Sequence, residues 1–312
     1  MDRLKKSLFK REWIVLYILI SLCILLSFLT KGFFTATNAM IVLRQISTVG
    51  IMTLGMTFLI ISGNIDLAAG ASMALSGVIA ATAMVTWHLP ISLSILIALV
   101  CSVAVYTICG IIVAKGRIIA FIVTLGAVQI IRGVTMIWAG GMPIGNLPPA
   151  FLEIGAGFFL GIPIPVYIYA FIIALSVVFL RKTQLGRYIY AIGGNEAAAK
   201  YSGVQLDASK IKIFIIHGLL VGIAGIMLAS RVRSGQPSIG QGAELDAISA
   251  TIIGGTSFLG GVGTVFGAVV GTMILGVIAN GLDLMGVQPF YQQIIKGAII
   301  IVAVLIDRKR RI

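Results

Sequence analysis

The chain has 312 residues, of which 59% are hydrophobic and 11% are charged, and its mean hydropathy is +1.10. Soluble domains are about 45–50% apolar and about 25% charged, so this composition excludes a water-soluble globule and also an intrinsically disordered chain. The net charge is +13, but Lys and Arg stand in short clusters between apolar runs, as in membrane-protein loops. A nucleic-acid-binding surface would carry them as a basic stripe, so no nucleic-acid partner is predicted.

The apolar runs predict an all-α polytopic membrane protein that forms a single transmembrane domain over residues 1–312. Because a helix that spans a bilayer needs about 20 apolar residues, the runs correspond to about ten transmembrane helices with short loops. They lie at 13–29, 39–61, 67–86, 91–114, 118–139, 166–180, 211–230, 245–262, 264–282 and 290–306.

The distribution of Lys and Arg predicts the orientation of these helices. Of the 23 basic residues, 17 fall in segments that would share one side of the membrane, and the side richer in Lys and Arg is normally the cytoplasm. Those segments are 1–12, 115–117, 181–212 and 307–312. An even number of spans then places both termini in the cytoplasm and the 140–165 loop in the periplasm. Arg231 and Arg233 would lie on the outer side and are the main exception.

Two loops differ from the others in composition. The 140–165 loop holds five of the eight prolines and neither Lys nor Arg, and its Pro and Gly residues disfavour a regular helix through it. The 181–212 loop contains a short helix-forming core in which Asn195 is suited to cap the helix. Glu196 in the first turn favours the helix dipole and forms an i,i+4 pair with Lys200. Such a helix is either a plain loop segment or a docking element, and the residues alone leave both open.

A short motif occurs once in each half of the chain. The sequence QIIRG at 129–133 recurs as QIIKG at 293–297. With five spans in each half, the two copies would lie in opposite orientations, as in the inverted repeats of many transporters. Chance similarity in an Ile- and Gly-rich chain is the alternative.

The chain contains no nucleotide-binding motif. A P-loop requires G-x-x-x-x-G-K-[ST], and no Gly-Lys dipeptide occurs. Transport would therefore depend on hydrolysis by a partner or on an ion gradient, or it would be passive. His217 lies in an apolar run without a nearby acid in the sequence and is interpreted as a packing residue. Together with His88 and the three cysteines it forms neither a catalytic set nor a metal site.

Two elements interrupt the apolar runs. At 62–67 the sequence SGNIDL favours a broken helix or a tight turn, with Asp66 capping the next helix. Glycines at 254–263 leave 245–259 short for a span, which indicates a discontinuous or re-entrant element. Irregular backbone at membrane depth needs protein or a wet cavity around it. These elements predict a translocation path, and the alternative is that they are plain helix ends at the cytoplasmic boundary. The predicted path residues are Asn64, Asp66, Thr256, Ser257 and Asn280.

Four stretches resemble the permeases of bacterial ABC sugar importers. They are GNIDLAAGA at 63–71, GRYIYAIGGNEAA at 186–198, ELDAI followed by GGTS within 244–257, and NGLDLMGV at 280–287. The resemblance covers nearly the whole chain and is greatest to ribose permeases, in the branch that also moves xylose and galactose. The chain departs from the usual pattern at Asn64, Ala68, Ala71 and Asp283.

The resemblance implies the permease subunit of an importer in the bacterial inner membrane, with membrane lipid around it. A separate ATPase would bind ATP and Mg at the cytoplasmic face, so this chain would hold no cofactor and would not be an enzyme. A periplasmic or lipid-anchored sugar-binding protein would deliver the monosaccharide, ribose first, and a second permease subunit would complete a homodimer. The residues implied to contact the ATPase are Gly194, Asn195, Glu196, Ala197 and Ala198.

Two alternatives remain at this stage. A permease for another pentose, a hexose or a carbohydrate-like signal of the autoinducer type would share the same motifs. An ion-coupled secondary sugar transporter would need carboxylates at the membrane midplane, and Asp66 and Asp283 are the acids that would supply them.

Overall fold

The computed structural model describes the backbone of residues 2–309 and the side chains of residues 13–299, Ile301 and Leu305. The predicted cytoplasmic termini, 1–12 and 307–312, therefore lie outside the described side chains. Thirteen helices and one two-stranded hairpin form the described chain. Their bounds are α1 Asp2–Leu29, α2 Ala36–Ile61, α3 Ala69–Val85, α4 Ile91–Gly116, α5 Ala120–Trp138, α6 Pro149–Ala156, β1 Phe158–Phe159, β2 Ile162–Pro163, α7 Ile164–Lys182, α8 Gln184–Gly194, α9 Glu196–Tyr201, α10 Leu206–Val232, α11 Ala243–Ile253, α12 Val265–Leu284 and α13 Pro289–Lys309.

This architecture confirms the all-α polytopic membrane fold. Each of the ten predicted runs contains one helix, and six described helices are long and apolar enough to cross a membrane. The run at 245–262 is not one continuous helix: α11 ends at Ile253 and the chain then continues without regular structure. This corrects the bounds of the run and agrees with the predicted interruption at 254–263. Gly255, Gly260 and Gly261 have positive φ, a conformation that glycine adopts readily and other residues rarely do.

The two unusual loops hold more structure than their composition indicates. The 140–165 loop contains helix α6, which begins with Pro149 at a position where proline's missing N–H costs nothing. The antiparallel hairpin β1–β2 follows it. The 181–212 loop contains α8 in addition to the predicted short helix α9. The side chain of Thr183 caps α8 by accepting the N–H of Gly186, a signal that the sequence contained.

The bundle has two distinct ends. At the first, which we call the basic end, the N–H of Gly261 donates to the carbonyl of Ile61 at 2.8 Å. The loops that follow α2, α4, α8 and α11 meet there. At the opposite end, Ile144 and Gly235 form an isolated β-bridge, and Arg44 donates to the carbonyl of Ala156. Long helices such as α2, α4 and α10 run between the two ends.

Two short helices begin inside the bundle rather than at an end. Helix α3 follows the irregular segment 62–68 and runs to the opposite end, whereas α11 follows the irregular segment 233–242 and runs to the basic end. The two segments meet where Gly70 packs against the backbone of Gly240, leaving no room for a Cβ on either residue. This contact lies near the middle of the bundle and joins the two halves of the chain.

Helix packing supports the predicted inverted repeat for four helices of each half. Helix α10 packs on α3 and α4 as α2 packs on α11 and α12, and α3 packs on α4 and α5 as α11 packs on α12 and α13. Because α3 and α11 run toward different ends, the halves are inverted. The motifs at 129–133 and 293–297 lie on α5 and α13, which occupy equivalent places. Helices α1 and α7 depart from the symmetry, since α1 packs on α12 and α7 on α2.

Candidate functional site

Helix α9 and its cap lie at the basic end, in the segment that the sequence leaves open as a plain loop or a docking element. The Oδ1 atom of Asn195 accepts the N–H of Ala198 at 2.9 Å, which confirms the predicted cap. The predicted pair of Glu196 with Lys200 is wrong, because Glu196 instead accepts a hydrogen bond from Nζ of Lys210 at 2.7 Å. Lys210 lies in the second turn of α10, which folds back over α9. All five residues of the predicted coupling segment, 194–198, are exposed.

Helix α8 packs directly on the end of α2 and on the loop that follows α11. Gly193 lies so close to the carbonyl of Ile61 that a Cβ would overlap it. The hydroxyl of Tyr190 donates to the carbonyl of Gly263 at 2.8 Å. We call residues 61–64, 190–194 and 260–263 the junction. It joins α8, and through it α9, to the end of α2 and to the loop that follows α11.

A wide cavity of about 1020 Å³ opens beside the junction. It lies between the end of α4, the start of α5 and the segment that contains α9. Gly63 and Asn64 form part of its wall. Its charged wall residues are Arg117, Glu196, Lys200, Asp207 and Lys210. The cavity therefore joins the coupling segment to one of the predicted path residues.

Asp66 is fully buried in the interior of the bundle. Its Oδ1 atom accepts the N–H of Ala68 at 2.8 Å. Ala68 itself is the N-cap residue and α3 has no side-chain cap, so the predicted capping role is wrong: Asp66 instead closes a tight turn just before the helix. Its Oδ2 atom lies 2.6 Å from the hydroxyl of Tyr106 and 2.9 Å from Nε2 of His217. The interpretation of His217 as a packing residue without an acidic partner is therefore wrong. The partners are 40 and 151 residues apart in sequence, and only the rarity of a His and an Asp in apolar runs pointed to them.

The other predicted path residues do not gather around Asp66. Thr256 and Ser257 are buried in the turn that follows α11. Asn280 is buried near the opposite end, where its amide and that of Asn38 exchange two hydrogen bonds of 2.9 and 2.8 Å. Of the five residues, only Asn64 lines the wide cavity.

A second polar region surrounds the start of α11. Arg132 on α5 donates to the carbonyls of Pro237 and Ile239 at 2.9 and 2.8 Å. Lys296 on α13 pairs with Asp246 at 2.9 Å. The two basic residues of the repeated motif therefore converge on α11 and the segment before it. The exposed residues around them, which we call the α5–α13 surface, are Gln129, Ser238, Gln241, Leu245 and Gln293.

The sequence alone predicts no role for this surface. The feature that could have pointed to it is the basic residue inside an apolar run, Arg132 or Lys296, that each copy of the repeated motif carries. Charged residues in such places normally mark a pathway or a structural pair. Within the described part of the chain, no group of three or more His, Cys, Asp and Glu residues could hold a metal ion.

Comparisons with known proteins decide the family. Residues 38–304 match the family described as "Branched-chain amino acid transport system / permease component". The chain belongs to this permease family. The match includes the junction, the Asp66 cluster and the α5–α13 surface, so these features lie within a permease component of a transport system.

Several relatives of this permease carry a sugar in their names. The ribose import permease protein of Haemophilus influenzae is 42% identical, over 96% of this chain and 92% of its own length. That of Bacillus subtilis is 41% identical, over 93% and 90%. The xylose transport system permease protein of Escherichia coli is 33% identical, over 98% and 94%. No solved structure gives a significant match.

The Asn38–Asn280 pair predicts a specific stability pattern. Changing Asn280→Leu leaves Oδ1 of Asn38 without its donor, although Nδ2 of Asn38 keeps its hydrogen bond to the carbonyl of Phe33. We therefore expect a loss of about 1–3 kcal/mol of stability. The double variant Asn38→Leu/Asn280→Leu removes both amides and should recover part of that loss. Thermal unfolding in detergent compares four proteins, namely the unmodified permease, Asn280→Leu, Asn38→Leu and the double variant. A double variant whose destabilisation equals the sum of the single ones would contradict the pairing.

Proposed function

We propose that this permease is the membrane-spanning subunit of an ATP-driven ribose importer in the bacterial inner membrane. The observation that carries the proposal is the similarity to ribose import permeases, 40–42% over at least nine-tenths of each chain. Relatives named for arabinose and xylose are 33–36% identical. The absence of a P-loop from the sequence agrees with hydrolysis by a separate ATPase that binds ATP and Mg.

Reconstitution tests the substrate and the energy source together. We expect the permease, assembled in vesicles with its ATPase and its sugar-binding protein, to accumulate ribose only when ATP is supplied on the ATPase side. Xylose and galactose should be accumulated more slowly. Faster uptake of either sugar would support the alternative substrates, and uptake driven by an ion gradient without the ATPase would support a secondary transporter.

We propose that the coupling segment 194–198 and the adjacent cavity form the ATPase contact. The segment is exposed, it carries Glu196 at the start of α9, and its Gly and Ala residues allow a partner surface to approach closely. The cavity wall carries Arg117, Lys200 and Lys210, so the contact would present both signs of charge. Helix α9 follows α8 directly, and the end of α8 contacts the end of α2 and the loop after α11 within the junction. A force applied to α9 would therefore reach both elements.

Substitutions in the coupling segment should separate hydrolysis from transport. We expect Glu196→Arg and Ala198→Arg to lower ribose uptake by at least about fivefold, the low end of typical coupling free energies, while the permease still inserts into the membrane. The matched control is Tyr201→Arg on the same helix, because Tyr201 is 92% exposed and lies outside the segment. Normal uptake together with normal stimulation of ATP hydrolysis in the Glu196 and Ala198 variants would refute the assignment.

We propose that the sugar passes along the α5–α13 surface, closed by the same surface of a second permease subunit. Polar side chains exposed to lipid are costly, and the amides of Gln129 and Gln293 suit the hydroxyls of a neutral sugar. Helix α5 also forms part of the wall of the wide cavity, so the path would continue to Asn64. Asp66, Thr256, Ser257 and Asn280 would then stand behind the path rather than in it.

Thiol labelling distinguishes this path from one through the buried residues. Single cysteines are placed by Gln129→Cys, Gln241→Cys, Thr256→Cys and Asn280→Cys in a cysteine-free permease. We expect a water-soluble thiol reagent to modify the first two and block uptake, with ribose and its binding protein slowing the reaction. Modification of only the last two, with the same protection by ribose, would place the path through the buried elements.

We propose that the basic end faces the cytoplasm and that the end with α6 and the hairpin faces the sugar-binding protein. The distribution of Lys and Arg supports this orientation. Four basic residues at the opposite end are the exceptions, namely Lys31, Arg44, Arg231 and Arg233. Arg44 is held there by a hydrogen bond to the carbonyl of Ala156 and by the ring of Phe158, 4.7 Å from its guanidinium carbon. This local binding accounts for a basic residue on the outer side.

A further inference from the structure

We propose that Asp66, Tyr106 and His217 form a joint that transmits movement of the coupling segment to helix α3. The inference rests on the proposed function as an ATP-driven permease. Under it, the three side chains are positioning residues that contact neither the sugar nor the ATPase. Their role is to make the irregular segment 62–68 move together with the core of the bundle.

The joint holds together elements from both halves of the chain. Asp66 belongs to the segment between α2 and α3, Tyr106 to α4 and His217 to α10. The rings of Tyr106 and His217 also contact each other edge to face, with centroids 4.9 Å apart. All three side chains are fully buried. Tyr106 is ten residues from the end of α4, so the joint lies about 15 Å from that end of the helix.

The carboxyl group of Asp66 has three partners in the joint. It accepts hydrogen bonds from the backbone N–H of Ala68 and the hydroxyl of Tyr106, and its Oδ2 lies 2.9 Å from Nε2 of His217. In the described structure, Nδ1 of His217 has no hydrogen-bond partner and faces Gly55. Separating a buried polar group from its partners is costly, because each group is then left without a hydrogen bond.

The backbone on each side of Asp66 reaches a functional surface in a few residues. Asn64, two residues before it, lines the wide cavity, and Ile61 belongs to the junction. Gly70, four residues after it, packs on Gly240, next to the α5–α13 surface. Helix α3 is buried along its length, which lets it move only with its neighbours. A shift of the junction therefore either moves Asp66 and α3 with α4 and α10, or breaks the hydrogen bonds of Asp66 to Tyr106 and His217.

Two chemically different lesions should produce the same defect. His217→Leu and Tyr106→Phe each remove a hydrogen bond to Asp66. Gly55→Ala leaves all three side chains intact but adds a methyl group that would lie 2.6 Å from Nδ1 of His217, pushing the ring away. His217→Gln keeps an N–H donor and is the conservative variant. Asn280→Leu breaks a buried polar contact far from the junction and is the matched structural control.

The experiment measures ATP hydrolysis and ribose uptake by the complete complex in vesicles, and reports ribose transported per ATP hydrolysed. We expect His217→Leu, Tyr106→Phe and Gly55→Ala to lower this ratio by at least about fivefold while hydrolysis continues. His217→Gln should restore most of the ratio, and Asn280→Leu should leave it unchanged although the permease is less stable.

The inference is overturned if the three variants keep the ratio of the unmodified complex. It is also overturned if uptake and hydrolysis fall together in the three variants and in Asn280→Leu, because the joint would then be structural only. A failure of the proposed function is a different result, in which the unmodified complex itself shows no ribose transport dependent on ATP.

Discussion

The fold depends on one constraint, the start of helix α3 inside the bundle. A helix that begins at membrane depth leaves backbone N–H groups without partners, and the surroundings offer no bulk water to satisfy them. Asp66 satisfies the N–H of Ala68 at that start, and Tyr106 and His217 in turn stabilise the carboxylate. The chain can therefore reverse its direction at 62–68, inside the bundle. The junction and the cavity lie between this segment and the basic end, and the buried helix α3 runs from it toward the opposite end.

The second half solves the same problem with different residues. Helix α11 also begins in the interior. There, Arg132 donates hydrogen bonds to two carbonyls of the preceding segment, and Lys296 pairs with Asp246 in the first turn of the helix. The two solutions meet at Gly70 and Gly240, where only glycine permits the contact of the two backbones. The two halves thus share the same helix packing, whereas their buried polar contacts differ. This difference places exposed polar groups around α11 and buries those around α3.

The sequence predicted the architecture well because hydropathy and charge act locally. The ten runs, the cap at Asn195 and the turn at 62–67 each depend on residues a few positions apart. The partners of Asp66 depend on how three helices pack, and no local pattern encodes that Tyr106 and His217 meet it. The same reason explains the pairing of Glu196 with Lys210 and the scatter of the predicted path residues. Asn280 is a polar residue in an apolar run, as a path residue would be, but its amide is fully used by Asn38.

Transmission from the ATPase to the sugar path requires the coupling segment and the hairpin end to face different sides of the membrane, with the Asp66 joint between them. Single cysteines introduced by Lys200→Cys and Leu160→Cys in a cysteine-free permease test this directly, because Leu160 is 83% exposed and Lys200 lies on the exposed face of α9. A membrane-impermeant thiol reagent is applied to right-side-out and to inside-out vesicles. We expect the cysteine at 160 to be labelled only in right-side-out vesicles and the cysteine at 200 only in inside-out vesicles. Labelling of both cysteines from the same side would contradict it.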